Sequence, residues 1–119
     1  MKKLLFVISN PPYANKRGTE LLDAALVAAA FDCDVSLLFR GDGVWSLLPE
    51  HAAKDIGQRS FAKMMLGLAD YDIDKLFVCR DSLNNRPMQL NPELAIETIS
   101  IAHQQQLMAD QAAVIGAAI

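Results

Sequence analysis

Three short apolar runs limit what this chain can fold into more than any other feature: Leu4-Leu5-Phe6-Val7-Ile8, Val35-Ser36-Leu37-Leu38-Phe39 and Leu76-Phe77-Val78-Cys79. Each is nearly continuous in apolar side chains. A strand wet on one side alternates apolar with polar, whereas a strand covered on both faces reads as an unbroken run. The runs therefore predict inner strands of a parallel sheet, and parallel neighbours need crossover segments between them.

Those crossovers have helical signatures. Asn10-Pro11-Pro12 stops the first run, and a loop to Gly18 leads to Thr19-Glu20, which opens a helix. Leu21, Leu22, Ala25, Leu26 and Ala29 then recur at helical spacing through Phe31, and Ala24, Ala25 and Ala28 to Ala30 keep this helix thin enough to lie close to a sheet or another subunit. After the second run, Arg40-Gly41-Asp42-Gly43 predicts a sharp turn. Ser60 is placed to cap a helix whose Phe61, Met64, Met65 and Leu68 share one face, with the Met pair read as core filling. Asp81 to Arg86 reads as a short helix closed by Pro87. Leu94 to Ile101 fits strand or helix, His103 to Gln111 is helix-compatible, and Ala112 to Ile119 reads as a terminal buried strand. The resulting order, β-α-β-α-β-α-(β)-α-β, predicts an α/β sandwich with a largely parallel sheet.

Composition narrows the function classes. The chain has 119 residues, 52% of them apolar, which suits one globular domain and leaves no room for two. Met1-Lys2-Lys3 before Leu4 to Ile8 imitates a secretion signal, but five apolar residues fall short of the roughly 7–15 such a signal needs. No run approaches the roughly 20 residues of a membrane helix, so a cytoplasmic protein is expected. With 11 basic and 14 acidic side chains, the net charge is −3, and no Lys/Arg cluster exceeds Lys16-Arg17. That argues against direct nucleic-acid binding. GxxxxGK[ST] and GxGxxG are absent, so a flavodoxin-like nucleotide or flavin domain is a weaker, different-class alternative, which a bound chromophore would favour. His51 and His103 lack ligand-spaced partners, and Asp70 to Asp74 fails as a calcium loop because Lys75 and Asp81 stand where Gly and Glu are needed; neither a metal nor a cofactor is expected.

Cys79 is the candidate for chemistry. It ends the third run and is followed at once by residues that can start a helix, and ligands gather at the carboxyl ends of strands in open α/β sheets. Two readings stand side by side. Cys79 is either a small buried hydrophobe or a reactive thiol lowered in pKa by the helix start and Arg80, with the Asp81 carboxylate working against it. Cys33, just before the second strand, is read as a buried structural thiol; a five-residue strand spans about 16 Å, too far for a disulfide, which needs Cα atoms within about 7 Å. Val44-Trp45-Ser46-Leu47-Leu48-Pro49 also has two readings: a lid folded onto the core, or a partner interface anchored by Trp45, Leu47 and Leu48.

Four segments together resemble the DsrE/DsrF-like family of small sulfur-relay proteins, and within it the TusC (DsrF) branch. They are Lys3 to Ser9 with its Pro-Tyr loop, Leu38 to Pro49, Leu68 to Ile73 running into Phe77 to Leu83, and the tail from Glu97. The resemblance implies a three-layer α/β/α fold with a five-stranded sheet spanning residues 1–119, and a strand near Leu94. It further implies a hetero-oligomer with TusB/DsrH-like and TusD/DsrE-like subunits that takes persulfide sulfur from a donor protein and passes it to an acceptor, towards 2-thiolation of the tRNA wobble uridine or, in sulfur oxidisers, towards intracellular sulfur oxidation. Self-association of the chain stays open. In that family the established carrier cysteine belongs to the TusD (DsrE) subunit at the end of the third strand. Cys79 occupies the matching place, so the expected role is a structural or supporting subunit, with a persulfide carrier through Cys79 as the alternative.

Overall fold

Each of the three apolar runs forms a strand in the computed structural model, which describes residues 2–9, 17–48, 65–86 and 88–116. They are β1 (Lys3–Ile8), β2 (Asp34–Phe39) and β3 (Lys75–Cys79), joined by β4 (Ile96–Ile99) and β5 (Ala113–Ile115) in one sheet of order β4-β3-β2-β1-β5. Every pairing is parallel, with Phe6 opposite Leu37, Leu37 opposite Leu76, and Leu76 opposite Ile96. The ambiguous stretch near Leu94 thus resolves as a strand. A helix, α3 (Ile101–Ala109), starts only after Ser100, whose hydroxyl accepts from the His103 N–H at 3.2 Å and so caps it.

Strand alternation divides the side chains between two faces. On one face, Phe6, Ile8, Leu37, Phe39, Leu76 and Val78 pack with Leu22 and Ala25 of α1 (Arg17–Ala30) and with Val44, Leu47, Met65 and Leu68. On the other, Leu5, Val7, Leu38 and Ile99 meet Leu107 and Met108 of α3 (Ile101–Ala109). The remaining helix, α2 (Arg80–Asn84), follows β3 directly. Burying each large side chain contributes about 1.5–3 kcal/mol. The α1 face, the larger core among the described residues, therefore carries most of the described stabilisation, and the result is an α/β/α sandwich.

Several boundaries differ from expectation. The first helix begins at Arg17, ahead of Thr19. Ser60, Phe61 and Met64 of the Met-rich helix lie outside the described residues, but Met65 and Leu68 are each 1% exposed, as core filling requires. The chain there tightens into a 3₁₀ segment, Gly67–Tyr71, ended by Asp72 in the left-handed region (φ 61°) with its N–H bound to Leu68 and Ala69 carbonyls. Asp70 to Asp74 is therefore a turn leading into β3. The terminal strand, expected to be buried, is an edge strand: β5 pairs only with β1, and Ile115 remains 36% exposed. No helix among the described residues is long and apolar enough to cross a membrane.

Candidate functional site at the end of the third strand

The path of β3 delivers Cys79 to the carboxyl end of the sheet, where it is 3% exposed and serves as the N-cap residue of α2 (φ −69°, ψ 122°). In register it lies opposite Ile99, the last residue of β4. Alternation turns its side chain to the α3 face. The helix that follows is five residues long, so its dipole is small and does not supply the positive setting expected of it. Arg80 does not supply it either, because its side chain is exposed.

Individual donors take that role. Ser82 stands three residues after Cys79, the position from which a side chain reaches back to the N-cap residue. Its Oγ accepts from the Gly41 N–H at 2.9 Å, tying the segment after β2 to α2 beside the cysteine. Gly41 can aim that N–H because it has φ +57°, a conformation glycine adopts without a side-chain penalty. Arg86 reinforces the link. Its Nη1 donates to the Ser82 carbonyl at 2.7 Å, and its Nη2 and Nε donate to Asp42 Oδ1 at 2.9 and 3.3 Å. From the opposite side, α3 presents Gln104, 3% exposed, whose Nε2 also donates to the Ile99 carbonyl at 3.4 Å.

These groups set the thiol's electrostatics. Burial, the largest single influence, pushes the Cys79 pKa up. The Ser82 hydroxyl and N–H, the Gln104 side chain and the Asp81 N–H together outweigh it, leaving the pKa below the usual thiol value. The Asp81 carboxylate, expected to oppose the thiolate, is on an exposed side chain, and the residue acts through its backbone instead. The protonated thiol closes no side-chain cap on α2. The lowering comes from donors that a thiolate would collect.

The other candidate residues lie apart from this thiol. A 3₁₀ segment, Gly41–Leu47, covers the ends of β1 and β2, with Gly43 so close that a Cβ there would sit 1.9 Å from the Ile8 carbonyl oxygen. Within the 41–48 stretch, Leu47 is fully enclosed in the α1-face core and its carbonyl accepts from the Asn91 N–H at 2.7 Å. Trp45 is half-buried against Leu48 and Met88. The stretch packs onto the core of the single chain, with Leu47 buried in it. Cys33 is half-buried rather than buried, and both cysteines are free thiols. A cavity of about 150 Å³ lies at the amino end of β3, lined by Leu68, Ile73, Leu76 and Leu94 with Asp74 and Glu93, well away from Cys79. Among the described residues, no three His, Cys, Asp or Glu side chains gather as a metal site; His51 lies outside them, and His103 is exposed on α3.

Sequence reading placed Cys79 and missed its partners. Ser82 was within reach of it, since N-cap and third helical position are three residues apart. Gln104 had no local signal, because only the β4–α3 crossover carries it to the cysteine.

A parallel five-stranded sheet with a covered thiol at the end of its third strand, flanked by donors from two layers, defines a small α/β protein organised around a strand-end cysteine. The chain belongs to the DsrE/DsrF-like family, whose model matches residues 2–116. It is similar to a protein TusC homolog of Aliivibrio fischeri, with 34% identity over 87% of each chain. Protein TusC of Klebsiella pneumoniae is 38% identical over 72% of each chain. The intracellular sulfur oxidation protein DsrF of Allochromatium vinosum is 37% identical over 72% of this chain and 63% of its own. In three dimensions the chain resembles the ychN protein from E. coli, with a TM-score of 0.77 at 18% identity over 97% of this chain and 98% of that one, a likeness of fold.

Proposed function

We propose that this chain is a TusC-like subunit of a cytoplasmic sulfur-relay complex, in a supporting rather than a carrying role. The observation that carries the role is the 3% exposure of Cys79. A persulfide presented by a second protein must reach the thiol along the line of its own S–S bond, and a covered sulfur offers no such approach. The subunit's contribution is then its surface, which holds TusB/DsrH-like and TusD/DsrE-like partners in one assembly. Sulfur leaving that assembly is destined for 2-thiolation of the tRNA wobble uridine, with intracellular sulfur oxidation as the other outlet. Two free thiols, and a relay chemistry that requires its cysteines to be kept from forming disulfides, support the cytoplasmic setting.

A second reading is favoured by the lowered pKa of Cys79. There the Cys79 thiolate attacks the outer sulfur of a donor persulfide, a new S–S bond forms at Cys79, and the donor cysteine leaves as thiolate. Mass spectrometry after exposure to a persulfide donor, with alkylation to trap the product, separates the two. The supporting role predicts no added sulfur on the Cys79 peptide while a DsrE-like partner in the same tube is loaded. One added sulfur, absent in Cys79→Ser and removed by reductant, makes the chain a carrier.

A further inference from the structure

The amino end of β3 holds a feature that sulfur chemistry leaves unused. Open α/β sheets gather ligands at the carboxyl ends of their strands, where Cys79 stands. The cavity of about 150 Å³ lies at the opposite end, one strand length or roughly 16 Å away. Its depth belongs to the α1-face core: Leu68 is 1% exposed, Ile73 2% and Leu76 5%, and Leu94 packs against the same cluster. The charged members of its lining are two carboxylates, Asp74 and Glu93, both on exposed residues. Alternation extended back from β3 puts Asp74 on the Leu76 face and sends Lys75 to the other. There Lys75 Nζ donates to both Asp34 carboxylate oxygens at 2.9 Å, so the cation next in sequence does not neutralise the cavity. Among the described residues, neither Asp74 nor Glu93 has an ion-pair partner.

The turns that present these acids are held by the core. On one side the Ile73 N–H donates to the Leu68 carbonyl at 3.2 Å. On the other, Asn91 is 4% exposed and its N–H donates to the Leu47 carbonyl at 2.7 Å, while its Oδ1 accepts from the Glu93 N–H at 3.0 Å. We propose that the cavity binds a small organic cation, a primary ammonium carried on an apolar group the size of a benzene ring, which a cavity of this volume accommodates. The apolar group enters between Leu68, Ile73, Leu76 and Leu94, and the ammonium stays at the surface between Asp74 and Glu93. Charge selects the ligand. The same ring bearing a carboxylate meets two like charges, and one bearing a hydroxyl gains no ion pair. A lysine side chain from another protein is the poorer match, because its charge is at the tip and would be driven into the aliphatic depth. The assignment stands apart from the sulfur relay and from either role of Cys79.

The test is a titration of the full chain, labelled with 13C in its Ile and Leu methyl groups, with three ligands of one size: benzylammonium, benzyl alcohol and benzoate. Benzylammonium is expected to give saturable NMR shifts at the Leu68, Ile73 and Leu94 methyls, with benzyl alcohol roughly fivefold weaker and benzoate weaker still. Asp74→Asn with Glu93→Gln should remove that roughly fivefold advantage and leave benzyl alcohol unchanged. Ala69→Leu, which fills the cavity without touching either acid, should abolish the shifts while circular dichroism stays the same. Equal affinity for the three ligands overturns the assignment, as does an advantage of benzylammonium that survives the loss of both acids. Shifts that persist in Ala69→Leu, or no saturable shift at these methyls in wild type, overturn it too. So does a Lys-Phe-Lys peptide that shifts them where benzylammonium does not, which would make the site a protein-docking surface.

Discussion

Cys79 is a case in which burial and hydrogen bonding pull a single proton in opposite directions, and the donors win. The consequence reaches stability as well as reactivity. The thiol's pKa is lower in the folded chain than in the unfolded one, so between the two values unfolding takes up a proton and stability rises with pH. This contribution is complete above the unfolded thiol value and vanishes as pH falls through the folded one. Guanidinium unfolding midpoints across that window should climb in wild type, and the climb should flatten in Cys79→Ser. An equal slope in both proteins would mean that the donors do not favour the thiolate. The location of this residue was legible in sequence because a strand-end cysteine before a polar segment is a local pattern. Its environment was only partly legible. Arg80 and Asp81 are its neighbours in sequence, yet their side chains are exposed, and a glutamine 25 positions away lies closer in effect.

Among the elements, the 3₁₀ segment Gly41–Leu47 does most to shape the carboxyl end of the sheet. Its two key glycines are needed for different reasons. A Cβ on Gly41 would meet nothing nearer than the Ser9 carbonyl oxygen at 3.6 Å, so Gly41→Ala costs only the left-handed backbone penalty of about 1–2 kcal/mol. A Cβ on Gly43 would lie 1.9 Å from the Ile8 carbonyl oxygen, and backbone cannot yield as a side chain does. Gly43→Ala is therefore expected to cost about 3 kcal/mol or more, measured by chemical denaturation, and to exceed Gly41→Ala clearly. A smaller loss at Gly43 than at Gly41 would contradict this close stacking. The sequence announced a turn here and an apolar patch after it. Whether Leu47 faced inward could not be read from residue order, since 3₁₀ and strand periodicities both fit so short a stretch. By contrast β1, β2 and β3 were legible almost to the residue, because an apolar run buried on both sides has no ambiguity of face.

For the whole molecule, the question is which surfaces remain for partners. Within the candidate patch at residues 45–48, Leu47 is committed to the core and Trp45 leans on Leu48 and Met88. The thin-sided helix offers more, because Phe31 just past its end is 78% exposed and Val27, one turn earlier, is 57% exposed. An apolar pair on one helix flank is costly to leave in water. In co-purification with DsrE-like and DsrH-like subunits, Val27→Ser with Phe31→Ser is expected to weaken retention at least about tenfold, as loss of a buried aromatic anchor does. Trp45→Ala should change it little, and the reverse order of effects would return the interface to the lid. The strand order has a further consequence, in time rather than in space. β1 sits between β2 and β5, and Leu5 lies opposite Val114, more than a hundred residues later in the chain. While the ribosome is still making the second half, β1 has one open edge, and Leu5 and Val7 lack the α3 residues that cover them. The last described strand to be synthesised pairs with the first, so this sheet is completed only once residue 115 has been made, and closing so long a loop makes that step slow.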